Sequence, residues 1–143
     1  MKNIILFALL LLMVISCTKE YETTTEYIIE NNSGHKIDLE VFNANFQIGV
    51  NLDSSILILD KHNFSFSYTY KGEENSFLHP FGKTIDSAFV IYDDTLKVKL
   101  LKDDDSYKNI LNIQDYLGGR VNSSYYKYVF IFSQNDYNDI LNN

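Results

Sequence analysis

The stretch NFSFSYTY, residues 63–70, alternates without a break. In an extended chain Phe64, Phe66, Tyr68 and Tyr70 fall on one side and Asn63, Ser65, Ser67 and Thr69 on the other, because successive strand side chains point to opposite faces. A helix, with its period of 3.6, would scatter the four rings around its circumference. The stretch therefore predicts a strand with one packed face and one wet face, and period two becomes the pattern to follow along the chain.

Upstream, Ile37, Leu39 and Val41 alternate with Lys36, Asp38 and Glu40, and YIIE at 27–30 continues the pattern less one-sidedly. Between them, ENNSGHK supplies Asn31, Asn32 and Gly34, residue types that tolerate positive φ, so residues 25–42 read as a hairpin. Downstream, Asp93 and Asp94 separate SAFVIY from LKVKLL, a second hairpin whose first strand is apolar on both faces and so reads as central. YLGGRV, at 116–121, reads as a turn, and Pro80 in LHPFGK marks a connection. SYYKYVFIFS places Tyr126, Tyr128, Phe130 and Phe132 on one face and Tyr125, Val129 and Ile131 on the other, predicting burial of both faces over its second half.

A helix is expected only at the end. Ser133 precedes Asp136 by three residues, the order of a capping box, and Tyr137, Ile140 and Leu141 follow at helical spacing. Short strands, frequent turns and one terminal helix predict a mainly β fold: a two-layer antiparallel β-sandwich, immunoglobulin-like or similar, with a small β-barrel as the alternative. No internal repeat or low-complexity block interrupts it.

Composition bounds what such a domain does. The 143 residues carry 12 Lys and Arg against 19 Asp and Glu, with no basic cluster, which argues against a nucleic-acid partner. One cysteine allows no internal disulfide, so packing alone must hold the fold, and ten Phe and eleven Tyr supply the area for it. His35, His62 and His79 have no helical metal-ligand spacing, and Asp103-Asp104-Asp105 lacks the glycine and glutamate of a calcium loop, Lys108 and Gln114 standing there. No serine sits in a G-x-S-x-G elbow, and the two glycines of YLGGRV lack the third that a dinucleotide loop needs. No enzyme activity, cofactor or metal site is therefore expected. Flat exposed rings at Tyr21, Tyr107, Tyr116, Tyr125 and Tyr137 would suit a glycan surface, but packing is the commoner use of tyrosine, and no Trp is present.

The N-terminus carries the clearest functional signal. Ile4–Ile15 are all apolar, follow Lys2 and end at Ser16, the charged, greasy, small order of a secretory signal. As a helix the run would reach about 18 Å against a hydrocarbon core of about 30 Å, too short to span it. Val14-Ile15-Ser16-Cys17 resembles the lipobox of bacterial lipoproteins. That resemblance implies cleavage before Cys17 and acylation of its thiol; at about 0.8 kcal/mol per buried CH₂, more than one chain makes a stable membrane anchor. It divides the chain into a signal peptide at 1–16, an anchor and polar spacer at 17–25, and a single β domain at 26–143.

Lys19-Glu20 and Glu22 resemble the signal that exports some Bacteroidota lipoproteins to the outer face of the outer membrane. YIIENNSGHKIDL, HPFGKTIDSAFVIYDD, NILNIQDY and YYKYVFIFSQNDYNDIL together look like small uncharacterised Bacteroidota lipoproteins. The resemblance implies an outer-membrane location, on the periplasmic or cell-surface face with the surface preferred, and supplies no activity. Asp86-Ser87-Ala88 and Asp94-Thr95-Leu96 resemble the O-glycosylation motif of that phylum. The expected function is non-catalytic binding of a protein or glycan partner, or a structural role, by a domain held to the membrane through its N-terminal lipid. The alternative is an immunity-type or inhibitor lipoprotein that neutralises an envelope toxin or protease.

Overall fold

Period two is realised as eight strands in a computed structural model that describes residues 22–45, 49–71, 79–82, 84–105 and 107–142. They are β1 (Glu22–Asn32), β2 (Ile37–Asn45), β3 (Gly49–Ile58), β4 (Asn63–Lys71), β5 (Ile85–Tyr92), β6 (Leu96–Leu101), β7 (Leu117–Asn122) and β8 (Tyr125–Ser133), followed by helix α1 (Gln134–Leu141). The first sheet has the order β4-β1-β8-β7 and the second β3-β2-β5-β6. Two four-stranded layers with one short C-terminal helix and no barrel closure make the mainly β sandwich that the alternation predicts. Every neighbouring pair is antiparallel except β1 and β8, which run parallel in register from Thr24↔Tyr125 to Asn32↔Ser133. The expected segments 1–16 and 17–21, with Cys17 and Tyr21, lie outside the described residues.

The interior lies where the inward rows of the two sheets meet. Tyr27, Ile29, Ile37, Leu39 and Val41 are fully buried, and each such side chain contributes about 1.5–3 kcal/mol relative to exposure. Tyr27 is the ring that joins others: it stacks on Phe66 at 5.2 Å and Tyr128 at 5.8 Å and meets Tyr116 edge-on at 6.0 Å. Burial raises the pKa of its phenol far above the ordinary value, so the ring stays neutral. β5 is central in its sheet, between β2 and β6, as its two apolar faces imply.

Four local expectations change. Residues 25–42 are not a hairpin, because β1 and β2 belong to different sheets. Asn31, fully buried, organises the crossing: its Nδ2 donates to the carbonyls of His35 at 2.7 Å and Ile58 at 2.9 Å, and its Oδ1 accepts from the Ser33 hydroxyl at 2.6 Å. Turn-prone residues allow a reversal, but both flanking strands carry apolar inward rows, which are buried by facing each other across the layers. YLGGRV is a strand rather than a turn: most of it is β7, at the sheet edge. Gly118, at φ +110°, lacks the Cβ that would strike the Lys127 carbonyl, so the glycine permits close pairing with β8.

The spacer read over 17–25 overlaps β1, which already includes Glu22–Thr25. Thr25 is fully buried, and Thr24 pairs with Thr69 and Tyr125. Threonine is polar but β-branched, and fits a strand well. Lastly, β8 is buried on one face only: Phe130 and Phe132 are enclosed, whereas Val129 and Ile131 are half-buried because no further layer covers the outside of the first sheet among the described residues.

At the C-terminus the capping box forms as read. Asp136 N–H donates to the Ser133 hydroxyl at 3.3 Å, and Ser133 N–H donates back to the Asp136 carboxylate at 2.7 Å. Tyr137 and Ile140 pack against the core, while Leu141 is 60% exposed and points away from it.

Candidate functional site: a cavity under the terminal helix

The hairpin of β5 and β6 aligns Val90 with Val98, and Ala88 with Leu100, on the inner face of the second sheet. Opposite them β8 presents Phe130 and Phe132, whose rings meet edge-on at 4.9 Å. The two sheets do not close on each other here. Helix α1 brings Ile140 with Asp136 and Asp139 over the gap, and the connection from β6 to β7 brings Tyr107 and Lys108. Together with Tyr92 they enclose a cavity of about 270 Å³.

The connection is held in place by one side chain. Asn109, 1% exposed, donates through Nδ2 to the carbonyls of Leu101 at 2.6 Å and Asp104 at 3.0 Å, and accepts from Leu111 N–H at 3.0 Å. Its own N–H donates to the Asp115 carboxylate at 2.7 Å. These bonds replace the ladder that a strand would provide. Lys108 then crosses to the other sheet, where its ammonium donates to the Ile131 carbonyl, lies 3.4 Å from Asp136 Oδ2 and sits 4.8 Å over the Phe130 ring.

The cavity is lined by both apolar and charged side chains. Tyr92 is 1% exposed; burial first, then the Asp136 charge, pushes its pKa far above the ordinary phenol value, so it is always a neutral hydroxyl. The cavity's charged lining residues are Lys108, Asp136 and Asp139, of which Lys108 and Asp136 lie 3.4 Å apart. Apolar walls with a few converging polar groups are the general make-up of a small-molecule site.

A second cluster, at the end of the sandwich where α1 begins, resembles acid–base machinery more closely. His35 Nδ1 lies 2.6 Å from Asp93 Oδ2, the imidazole stacks on Tyr137 at 3.7 Å, and Gln134 Nε2 lies 3.5 Å from Nε2. A carboxylate only accepts, so Nδ1–H is the donor toward Asp93. The His35 hydrogen bond, then the Lys36 N–H at 2.9 Å, hold the Asp93 carboxyl below the usual carboxylate range. Ser33 offers no nucleophile to this pair, since its hydroxyl is fully buried and donates to Asn31. The cluster ties the β1–β2 connection, the β5–β6 turn and α1 together.

The remaining sequence candidates disperse. His62 Nδ1 lies 2.9 Å from the Asp60 carbonyl oxygen, and His79 borders a depression shared with Lys102, Asp103 and Asp105. No group of three His, Cys, Asp or Glu able to hold a metal converges among the described residues. The rings do not share a platform: Tyr116 is in the core with its hydroxyl donating to Ile110 O at 2.8 Å, Tyr125 donates to Glu26, and Tyr137 lies on His35. Among the described candidate rings, Tyr107 alone lines the cavity. Ser87 is 4% exposed inside β5, whereas Thr95 stands exposed on the Asp93-Asp94 turn. Lys108, Asp136 and Asp139 were not singled out by sequence as site residues, because no local pattern marks side chains that converge from a loop and a helix.

Two other surfaces are open. A slot of about 540 Å³ separates β3 from β4, with Phe64, Phe66, Tyr68 and Phe81 on one wall. On the outside of the first sheet, Leu117 and Val121 are 62% and 59% exposed beside Val129 and Ile131. Compared with protein-family models, with curated proteins and with solved structures, the chain matches none.

Proposed function

We propose that the chain is a lipid-anchored protein of the bacterial outer membrane whose β domain binds a protein or glycan partner or a smaller ligand without transforming it. The observation that carries binding is the cavity under α1, walled by Val98, Leu100, Phe130 and Phe132 and bordered by converging charges. The non-catalytic part is supported by the engagement of the neighbouring acid–base groups in the fold: His35 with Asp93, Ser33 with Asn31, and Asp136 with the helix cap. The anchor is supported by the order Lys2, apolar Ile4–Ile15, Ser16, Cys17.

Mass spectrometry of protein from its native host tests the anchor: an N-terminus at Cys17 carrying diacylglyceryl thioether is expected, and Cys17→Ser should leave the membrane fraction. An intact Met1 terminus or a bare thiol at Cys17 overturns it. Turnover of a glycan or peptide by the purified chain, abolished by one side-chain change, would overturn the non-catalytic reading. The immunity-type or inhibitor reading draws on a different feature, the exposed apolar row of Leu117 and Val121 on an acidic protein. Gene deletion that leaves sensitivity to neighbouring strains and to proteases unchanged would count against it.

A further inference from the structure

We infer that the cavity under α1 takes a small neutral aromatic molecule of one or two fused rings, held among Val98, Leu100, Tyr107 and Ile140. The inference rests on the binding reading and is independent of the anchor. Size sets the first limit: about 150 Å³ of apolar cavity holds benzene, so about 270 Å³ has room for a second ring. Wall chemistry sets the second. Eight of the eleven residues that line the space are aliphatic or aromatic, and they come from both sheets, the β6–β7 connection and α1. Phe132 meets Phe130 edge-on at 4.9 Å and Tyr92 edge-on at 6.4 Å, so rings already pack on rings in this wall. A further ring extends such a cluster through the same edge and offset contacts. The hydroxyls of a sugar would give up water for walls that offer them few partners.

Charge decides against an ion. Each of the three charged residues in the lining is already engaged within the chain. The Lys108 ammonium donates to the Ile131 carbonyl, lies 3.4 Å from Asp136 Oδ2 and sits 4.8 Å over the Phe130 ring. Asp136 Oδ2 also receives Ser133 N–H at 2.7 Å and Ser133 O–H at 2.8 Å, and Asp139 has a partner of its own. An incoming cation would compete with Lys108 for Asp136, and an incoming anion would compete with Asp136 for Lys108. Either exchange leaves a charge uncompensated beside apolar walls. A neutral ring leaves the pair and the helix cap intact.

Titration of the full ¹⁵N-labelled chain with indole, followed by NMR, tests the inference. Saturable shifts are expected at Val98, Leu100, Tyr107 and Ile140. Benzylamine and benzoate, ions no larger than indole, should each bind at least about ten-fold more weakly. Lys108→Met keeps the length of the side chain and removes its charge, so Asp136 loses its ammonium and the preference for indole over benzylamine should fall about ten-fold. Val98→Trp should abolish indole binding by filling the space; if either variant unfolds, the three ligands on the parent chain still decide. An ion that binds as tightly as indole, an unchanged preference in Lys108→Met, or indole shifts confined to the β3–β4 slot overturns the inference and leaves a binding domain. No saturable shift with any of the three overturns it and also removes the cavity as support for the binding reading. The indole should be recovered unchanged; its consumption would sink the non-catalytic reading and leave the ligand class standing.

Discussion

The two lateral openings of the sandwich begin from the same sequence device and end differently. At β4 the aromatic row Phe64, Phe66 and Tyr68 faces inward yet stays half-exposed, because β4 and β3 are both sheet edges and the described residues provide little beyond Phe81 to cover the gap. On the opposite side Phe130 and Phe132 are 1% and 4% exposed, because β8 is internal to its sheet and Lys108, Tyr107 and α1 roof the gap. Alternation specifies which face a ring occupies. Coverage by elements distant in sequence specifies whether that face becomes a core, a slot or a cavity.

The contrast is most strongly tested by truncating one ring on each side. Phe130→Ala should destabilise the fold by about 3–5 kcal/mol, whereas Phe64→Ala should cost about 1–2 kcal/mol, since a partly solvated site leaves less of a void. Urea unfolding of both full-length variants reads the difference, and equal losses would remove the distinction between the sides.

Next in size is the roof itself. Asn109→Ala leaves two carbonyls and one N–H without their partner, at a cost of about 1–3 kcal/mol. Hydrogen exchange should accelerate over residues 107–112 and stay unchanged along β4; uniform acceleration would mean that the connection unfolds only with the whole domain. Removing the helix cap acts on the same roof more gently: Ser133→Ala should cost about 1 kcal/mol and increase exchange in α1.

The smallest effect is electrostatic. Asp93 is solvent-exposed and its folded-state pKa lies below its ordinary value of 3.8, so its contribution is present above that value and is lost as pH falls through the folded pKa. Asp93→Asn should therefore lower the melting temperature slightly at pH 6, and the gap to the parent chain should narrow as pH falls below 3.8. A gap that widened on acidification would show that the His35–Asp93 pair does not supply it.

Much of this was legible residue by residue. The faces of Ile37, Leu39 and Val41, the central place of β5 and the Ser133–Asp136 cap all depend on local spacing, and local geometry fixes them. β3 was missed because ILIL, at 56–59, is apolar at both parities and hides period two. β7 was missed because its glycines serve close approach to β8, a partner that the segment itself does not name. The hairpin at 25–42 failed for a related reason: a turn signal is the same whether the strands it joins pair within a sheet or stack across two.

By itself, then, the sequence determined that this chain forms mainly strands, which side chains each clear strand turns inward, where the final helix starts and that packing must replace disulfides, since each follows from backbone period, capping chemistry or composition. Only the tertiary structure decided that β1 lies parallel to β8, that β1 and β2 part into separate layers and that Lys108, Tyr92, Asp136 and Asp139 meet around one cavity. Those relations join residues up to about a hundred positions apart. Each is set by which apolar faces can be buried together, a competition among whole elements that no short stretch records.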